Sequence, residues 1–101
     1  MAKFMFLYRG PQPGPSDERM SLFQAWIEKA GDALLDMGSP FGARASVRDD
    51  GTEGAAADDL IGYTVVEAPD LEGAKALTEG LPLRLEGRGK HSVEVFELLP
   101  L

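Results

Sequence analysis

The chain of 101 residues contains no cysteine, which excludes disulfides, thiolate metal sites and cysteine nucleophiles. It also lacks any apolar stretch approaching the roughly 18 residues that span a bilayer. Basic residues are scarce, because ten Lys and Arg face seventeen Asp and Glu and give a net charge of −7. An acidic surface repels phosphate backbones. We therefore expect a protein that binds neither nucleic acid nor a membrane.

The composition is that of one small folded domain, with 44% hydrophobic and 27% charged residues. The apolar run near the start is too short for a signal peptide, is interrupted by Arg9 and is followed by no small-residue cleavage site. We interpret it as a strand and expect a cytoplasmic location. A domain of this size buries about 60–65% of its unfolded surface, so additional burial through oligomerisation would stabilise it.

Four segments have the character of strands. Residues 3–8 and 60–67 are apolar on both faces, as in central strands covered on both sides. Residues 92–98 form the last predicted strand. Residues 43–48 form a short, weak one with Val47 as the single strong β-former.

Two segments have helical character. Ser16 is a good N-cap, and the apolar positions after it recur every three to four residues, which predicts a helix over 17–37 that stops at Gly38. A second helix begins after Asp70 and ends at Gly80. Residues 83–90 are predicted to be a Gly/Arg-rich connection.

The element order is strand, helix, strand, strand, helix, strand, which is the ferredoxin-like split βαβ arrangement. Right-handed crossovers place both helices on one face of a four-stranded antiparallel sheet. The other face would expose Met5, Leu7, Val66 and Phe96, or their alternates in a shifted register. This predicts a homodimer formed through the sheet face. Alternatively, loops and the C-terminal residues 98–101 cover that face.

Several segments, in this order along the whole chain, resemble the YCII-related (DGPF-like) family. The residues that carry the resemblance are Phe4-Met5-Phe6-Leu7-Tyr8, Gly38-Ser39-Pro40-Phe41-Gly42, Asp50-Gly51, Gly62-Tyr63-Thr64-Val65-Val66-Glu67-Ala68 and Val93-Glu94-Val95. The family implies a dimeric α+β barrel built from two ferredoxin-like subunits.

The resemblance implies little about activity. Some members are similar in fold to muconolactone-isomerase-type enzymes, and a histidine–aspartate pair is a suggested catalytic pair in some. In this chain the Asp-Gly-Pro-Phe signature is reduced to Asp50-Gly51-Thr52-Glu53, and the single histidine, His91, has no aspartate close to it in the sequence.

Four side chains are candidates for a site. His91 is the candidate catalytic residue, because its ordinary pKa lies near neutrality; the alternative is a solvated loop histidine. Tyr8 and Arg9 end the first strand and are candidate ligand-binding residues, against core packing and a surface ion pair. Tyr63 is the third ligand-binding candidate, against a core or interface position.

Charged clusters give weaker signals. Arg84, Arg88 and Lys90 could bind an anion, but a solvated basic loop is the simpler interpretation. The acidic residues of 49–59 lack the order of a calcium loop and favour a flexible segment. No phosphate-binding loop or nucleophile elbow is present. We therefore predict neither a metal nor a cofactor.

Three functions remain open. The first is an accessory module without catalysis that binds a small molecule or a partner. The second is a small isomerase or cofactor-free oxygenase acting on an organic acid between sheet and helices, a hypothesis that rests on fold analogy. The third is a regulatory role beside transcription factors, and the acidic charge argues against direct DNA contact.

Overall fold

A computed structural model describes residues 1–101. In chain order, the helices and strands are β1 Ala2–Arg9, α1 Asp17–Ala30, β2 Leu34–Pro40, β3 Ser46–Val47, β4 Glu53–Gly54, β5 Leu60–Ala68, α2 Leu71–Leu77, α3 Pro82–Glu86 and β6 Ser92–Leu98. A single 3₁₀ turn, Gly31–Ala33, joins α1 to β2.

The main sheet has four strands in the order β2-β5-β1-β6, and all neighbours are antiparallel. This order is the ferredoxin-like one, and it confirms the predicted α+β class. The two most apolar strands, β1 and β5, occupy the centre. Strand β6 has the predicted bounds, Ser92–Leu98.

Helix α1 begins where the sequence indicates, because the Ser16 hydroxyl accepts a hydrogen bond from the Arg19 amide at 3.1 Å. It ends seven residues before the predicted Met37, at Ala30. Gly31 adopts φ +56°, and its N–H closes the last turn on the Ile27 carbonyl. A left-handed residue stops a helix and favours glycine. The prediction through Met37 was wrong for this reason.

The residues beyond Gly31 form the second strand of the main sheet, Leu34–Pro40. The predicted strand over 43–48 was therefore misplaced. Of that segment, Ser46–Val47 pairs with Glu53–Gly54 in a separate two-stranded hairpin. The apolar spacing of Leu34 and Met37 imitated a continuing helix, whereas both residues belong to an irregular edge strand.

A third helix, α3, lies in the segment predicted to be a connection. Pro82 occupies its first turn, where a missing N–H costs nothing. Helix α2 ends at Leu77, and its N-cap is Asp70, which accepts from the Gly73 amide at 2.8 Å. The hydrophobic core lies between these helices and the sheet. Its buried members are Phe4, Phe6, Trp26, Val66, Ala68, Ala74 and Leu81.

The other sheet face carries no helix. Met5, Leu7 and Phe96 lie on it, as predicted, and Phe96 is 49% exposed. Val66 was assigned to this face wrongly, because it pairs with Phe4 on the helix side and is fully buried. Its neighbour Val65, the cross-strand partner of Met5, takes the outer position. No helix of the chain combines the length and apolar character of a membrane span.

Candidate functional site

A cleft of about 600 Å³ opens between the sheet and the two helices α1 and α3. This volume lies within the usual range for small-molecule sites. Strands β1, β2 and β5 form its floor, and residues 12–15 of the proline-rich segment form one wall. The apolar side chains that line it are Tyr8, Met20, Phe23, Met37, Ile61, Tyr63, Leu81 and Leu83, together with four prolines.

The α1 wall is held by aromatic packing. Phe23 lines the cleft and stacks on Trp26 behind it, with ring centroids 5.9 Å apart and planes inclined by 12°. The Trp26 indole N–H donates to the Leu77 carbonyl at 2.7 Å. Because Trp26 is buried and bonded to the end of α2, the Phe23 ring has a fixed support.

The floor is shaped by a β-bulge in β2. Between Asp36 and Ser39 this strand has one residue more than the facing stretch of β5. Gly38 lies in the bulge with φ +75°, and a Cβ there would fall on the Tyr63 carbonyl oxygen. Glycine is therefore required at this position. The bulge places Met37 beside the cleft, and the Met37 carbonyl is bonded by a side chain of β5.

That side chain is Thr64, which links the bulge to β1. The Thr64 hydroxyl donates to the Met37 carbonyl at 3.0 Å, and its oxygen lies 2.6 Å from the Tyr8 hydroxyl. A threonine hydroxyl has one proton, and a carbonyl can only accept. Tyr8 must therefore donate to Thr64, and the chain of hydrogen bonds runs in one direction from Tyr8 to Met37. Thr64 is fully buried.

Burial raises the pKa of Tyr8 to about 12. The phenol is therefore neutral throughout the physiological range. As a cleft residue Tyr8 presents a neutral oxygen whose proton is already engaged. It is suited to holding a ligand and unsuited to removing a proton near pH 7.

Arg19 is the one charged residue that lines the cleft. Its Nε lies 3.3 Å from Glu86 Oε1, and its Nη1 donates to the Gly14 carbonyl. The side chain thus ties α1 to α3 and to the proline-rich wall. Sequence reasoning did not single out Arg19, because nothing in the local pattern distinguishes it from a solvated helix arginine.

Arg9, a predicted ligand-binding residue, lies outside the cleft. Its guanidinium pairs with Asp59 at 2.8 Å and with Glu94 at 3.3 Å. Hydrogen bonds to these two carboxylates raise the pKa of Arg9 further above its ordinary value. The position matches the surface ion pair that was the alternative interpretation.

Tyr63 lies at the edge of the cleft, but its hydroxyl leads to the other face of the sheet. It donates to Asp36 Oδ2 at 3.3 Å, and its ring stacks on Phe41 with centroids 5.9 Å apart. The Asp36 carboxylate raises the pKa of Tyr63. The ring thus covers outer-face surface, and Tyr63 shares no hydrogen bond with Tyr8.

His91, the predicted catalytic residue, does not line the cleft. Its Nε2 donates to the Pro11 carbonyl at 2.7 Å, and its Nδ1 is buried without a partner. The ring packs where a Cβ on Gly10 would stand. His91 therefore fixes Pro11, at the start of the proline-rich segment, from outside the cleft.

His91 also borders a second cavity of about 400 Å³. All the charged side chains lining that cavity are basic: Lys75, Arg84 and Arg88, together with the titratable His91. Arg84 donates to the Thr78 hydroxyl at 3.1 Å. The predicted basic cluster is thus partly assembled around this cavity, without Lys90. Tyr8, Arg9 and His91 occupy three separate environments.

Comparison with known proteins gives a likeness of fold. No family model and no curated protein matches the chain. Among solved structures it is similar to the 5-chloro-2-hydroxyhydroquinone dehydrochlorinase of Burkholderia phenoliruptrix, in complex with 2,5-dihydroxybenzoquinone. The TM-score is 0.55 at 20% sequence identity, and the match covers 95% of this chain and 93% of that chain. It supports the ferredoxin-like α+β class.

Proposed function

We propose that this chain binds a small, largely apolar molecule in the cleft between the sheet and helices α1 and α3. The observation that carries the proposal is a cavity of about 600 Å³ whose walls are apolar and whose floor holds the bonded hydroxyls of Tyr8 and Thr64. Apolar walls with a few fixed polar groups are typical of small-molecule sites. We further propose membership of the YCII-related family and a cytoplasmic location.

The similar dehydrochlorinase supports a ligand of about the size of one six-membered ring, because its structure is a complex with 2,5-dihydroxybenzoquinone. A single ring occupies much less than the cleft volume, so such a molecule would fit with room for substituents. The likeness itself extends to the fold, and the identity of the ligand is therefore an experimental question.

Binding can be tested by filling the cleft. Met20 lines it from α1 and is 58% exposed, so Met20→Trp places a large ring at the cleft without disturbing the core. Ser21→Trp is the matched control, on the same helix at an exposed position outside the cleft. We expect aromatic probes to shift amide resonances of cleft residues in the wild type and in Ser21→Trp, and to lose this effect in Met20→Trp. Equal shifts in all three proteins would contradict the proposal.

Catalysis is the second candidate, favoured by the fold likeness to an enzyme. It requires a group that transfers a proton at the bound molecule. His91 lies outside the cleft, and the Tyr8 proton is committed to Thr64. The binding role is therefore the better supported one. Incubation with 5-chloro-2-hydroxyhydroquinone should release no chloride above the buffer rate; release that Met20→Trp abolishes would favour the enzyme.

We also propose a homodimer formed through the uncovered sheet face. Leu7 and Met5 lie at its centre, while Phe96 and Leu98 extend it across β6. A contiguous apolar face of this kind is rare on monomers. Native mass spectrometry should give twice 10.9 kDa, and Leu7→Arg should give the monomer mass. Lys3→Glu, at the rim of the same face, should leave the dimer intact.

A further inference from the structure

The hydroxyl groups that line the cleft have all committed their protons to the protein. Tyr8 donates to Thr64, and Thr64 donates to the Met37 carbonyl. The Ser39 hydroxyl donates to the Pro40 carbonyl at 3.2 Å, and the Tyr63 hydroxyl donates to Asp36. These four residues are the hydroxyl-bearing residues that line the cleft. The Tyr8 oxygen therefore has lone pairs to offer to a ligand and no proton.

From this direction of hydrogen bonding we infer that the cleft selects a ligand that donates at Tyr8, a ring compound bearing a hydroxyl or N–H group placed against the Tyr8 oxygen. The inference rests on the proposed function and specifies the chemistry of the same site. A carbonyl or carboxylate oxygen at this position would face the lone pairs of Tyr8 with no proton between them.

Two features prevent Tyr8 from accepting a hydrogen bond from Thr64 and donating its own proton to a ligand. Its partner Thr64 cannot donate to Tyr8 without giving up its own hydrogen bond to the Met37 carbonyl, and the loss of that bond costs free energy. The Gly38 bulge, where the backbone of β2 packs directly on that of β5, holds this part of the strand in place. The direction of hydrogen bonding at Tyr8 is thus set by the irregular strand β2. This disfavours a carboxylate placed against the Tyr8 oxygen.

The test uses two probes with one carbon skeleton, 1-phenylethanol and acetophenone. The alcohol can donate, whereas the ketone can only accept. Affinities are measured by NMR titration, and the quantity compared is the ratio of the ketone Kd to the alcohol Kd. Since both probes lose similar apolar surface, changes of this ratio between variants report the hydrogen bond.

In Tyr8→Phe the acceptor is absent, so the ratio should fall by about 3- to 10-fold, the usual range for one neutral hydrogen bond. In Thr64→Val the Tyr8 proton is released toward the cleft. The ratio should fall here too relative to the wild type, because the ketone gains a donor. Thr78→Val is the matched control, since Thr78 is also buried and also donates to a carbonyl, that of Lys75 at 2.7 Å, outside the cleft. Its ratio should equal that of the wild type.

The outcomes separate this inference from the proposed function. If both probes shift cleft resonances but the ratio is the same in wild type, Tyr8→Phe and Thr64→Val, the cleft binds ligands and the donor selectivity is wrong. If neither probe binds the wild type at millimolar concentration, the proposed function and the inference both fail. Should Thr64→Val not fold, as judged from its amide spectrum, Tyr8→Phe decides alone, because it removes one oxygen and keeps the ring.

Discussion

Phe6 and Tyr8 are two residues apart on the same face of β1, yet one lies in the core and the other in a cleft. Phe6 is fully buried and packs near Trp26, with ring centroids 6.4 Å apart. Tyr8 pairs with Gly62 on β5, where a Cβ would lie 3.1 Å from the Ser39 carbonyl oxygen and 3.5 Å from the Tyr8 ring, so the cleft does not come from empty space at the glycine. The same face of β1 is solid at Phe6, which belongs to the core cluster with Trp26, and open at Tyr8, which lines the cleft beside the proline-rich segment. What lies over the strand, rather than any catalytic residue, defines the site.

The largest expected effect comes from the solid end. Phe6→Ala removes a fully buried ring, and such cavities cost about 3–5 kcal/mol. We expect a loss of this size in the free energy of unfolding measured by urea denaturation. A loss below about 1 kcal/mol would mean that the core end is as loosely filled as the cleft end, and the contrast would disappear.

Gly38→Ala probes a cleft-end position that should behave like the core. Its φ of +75° disfavours alanine, and the added Cβ meets the Tyr63 carbonyl. Strain of this kind costs about 1–3 kcal/mol. The midpoint of urea unfolding should fall accordingly. Gly14→Ala is the control, because a Cβ there meets nothing within 4 Å. Equal midpoints for the two variants would refute the role of the bulge.

Tyr8, at the cleft end of β1, should make the free energy of unfolding depend on pH. Its pKa is raised from 10.0 to about 12 in the folded state, so its contribution to stability is complete below the unfolded pKa and is lost as the pH rises through the folded one. With these values the loss between about pH 8 and pH 11 is about 1.4 kcal/mol. Wild type minus Tyr8→Phe should reveal it, because the other groups that titrate there cancel in the difference. A difference in unfolding free energy that does not change with pH would mean that the Tyr8 hydroxyl is exposed to solvent in the folded protein.

The smallest effect is expected at the open rim. Met20 lines the cleft but is 58% exposed, so Met20→Ala removes little buried surface. We expect the free energy of unfolding to change by less than about 1 kcal/mol. Thermal or urea unfolding measures this directly. A cost approaching that of Phe6→Ala would show that the rim is packed like the core, and the distinction between the two ends would need revision.

The central strands were predictable because their signal is local and strong. The predicted bounds of β1, β5 and β6 agree with the structure within one residue. Short apolar runs rich in aromatic and β-branched residues, such as Phe4–Tyr8 and Ile61–Val66, are typical of strands. The N-caps Ser16 and Asp70 were found for the same reason: one side chain bonds an amide three residues away.

The end of α1 was not predictable from spacing. Leu34 and Met37 continue the helical period, and the positive φ of Gly31 that ends the helix is a backbone property. The bulges of β2 then move its side chains off a simple alternation. Val66 was assigned to the outer face for a related reason, because a strand that is apolar on both faces gives no signal of which face is covered.

Of the four residues singled out from the sequence, Tyr8 and Tyr63 line the cleft, while Arg9 and His91 lie outside it, in an ion pair and in a hydrogen bond to a loop carbonyl. Their part in binding stays a prediction. Thr64 and Gly38 were missed, since a threonine inside a strand normally indicates β propensity and no more. The part that Thr64 plays depends on a contact between residues 27 positions apart, which no local pattern contains.

The bulges of β2 also govern how this protein meets other strands. β2 and β6 are the two edges of the sheet. An edge with bulges and a proline at its end, Pro40, has no long row of regularly spaced amides and carbonyls, so an incoming chain finds little to pair with. β6 has an uninterrupted register over seven residues. Strand-to-strand aggregation, if the protein is stressed or overproduced, should therefore grow from β6.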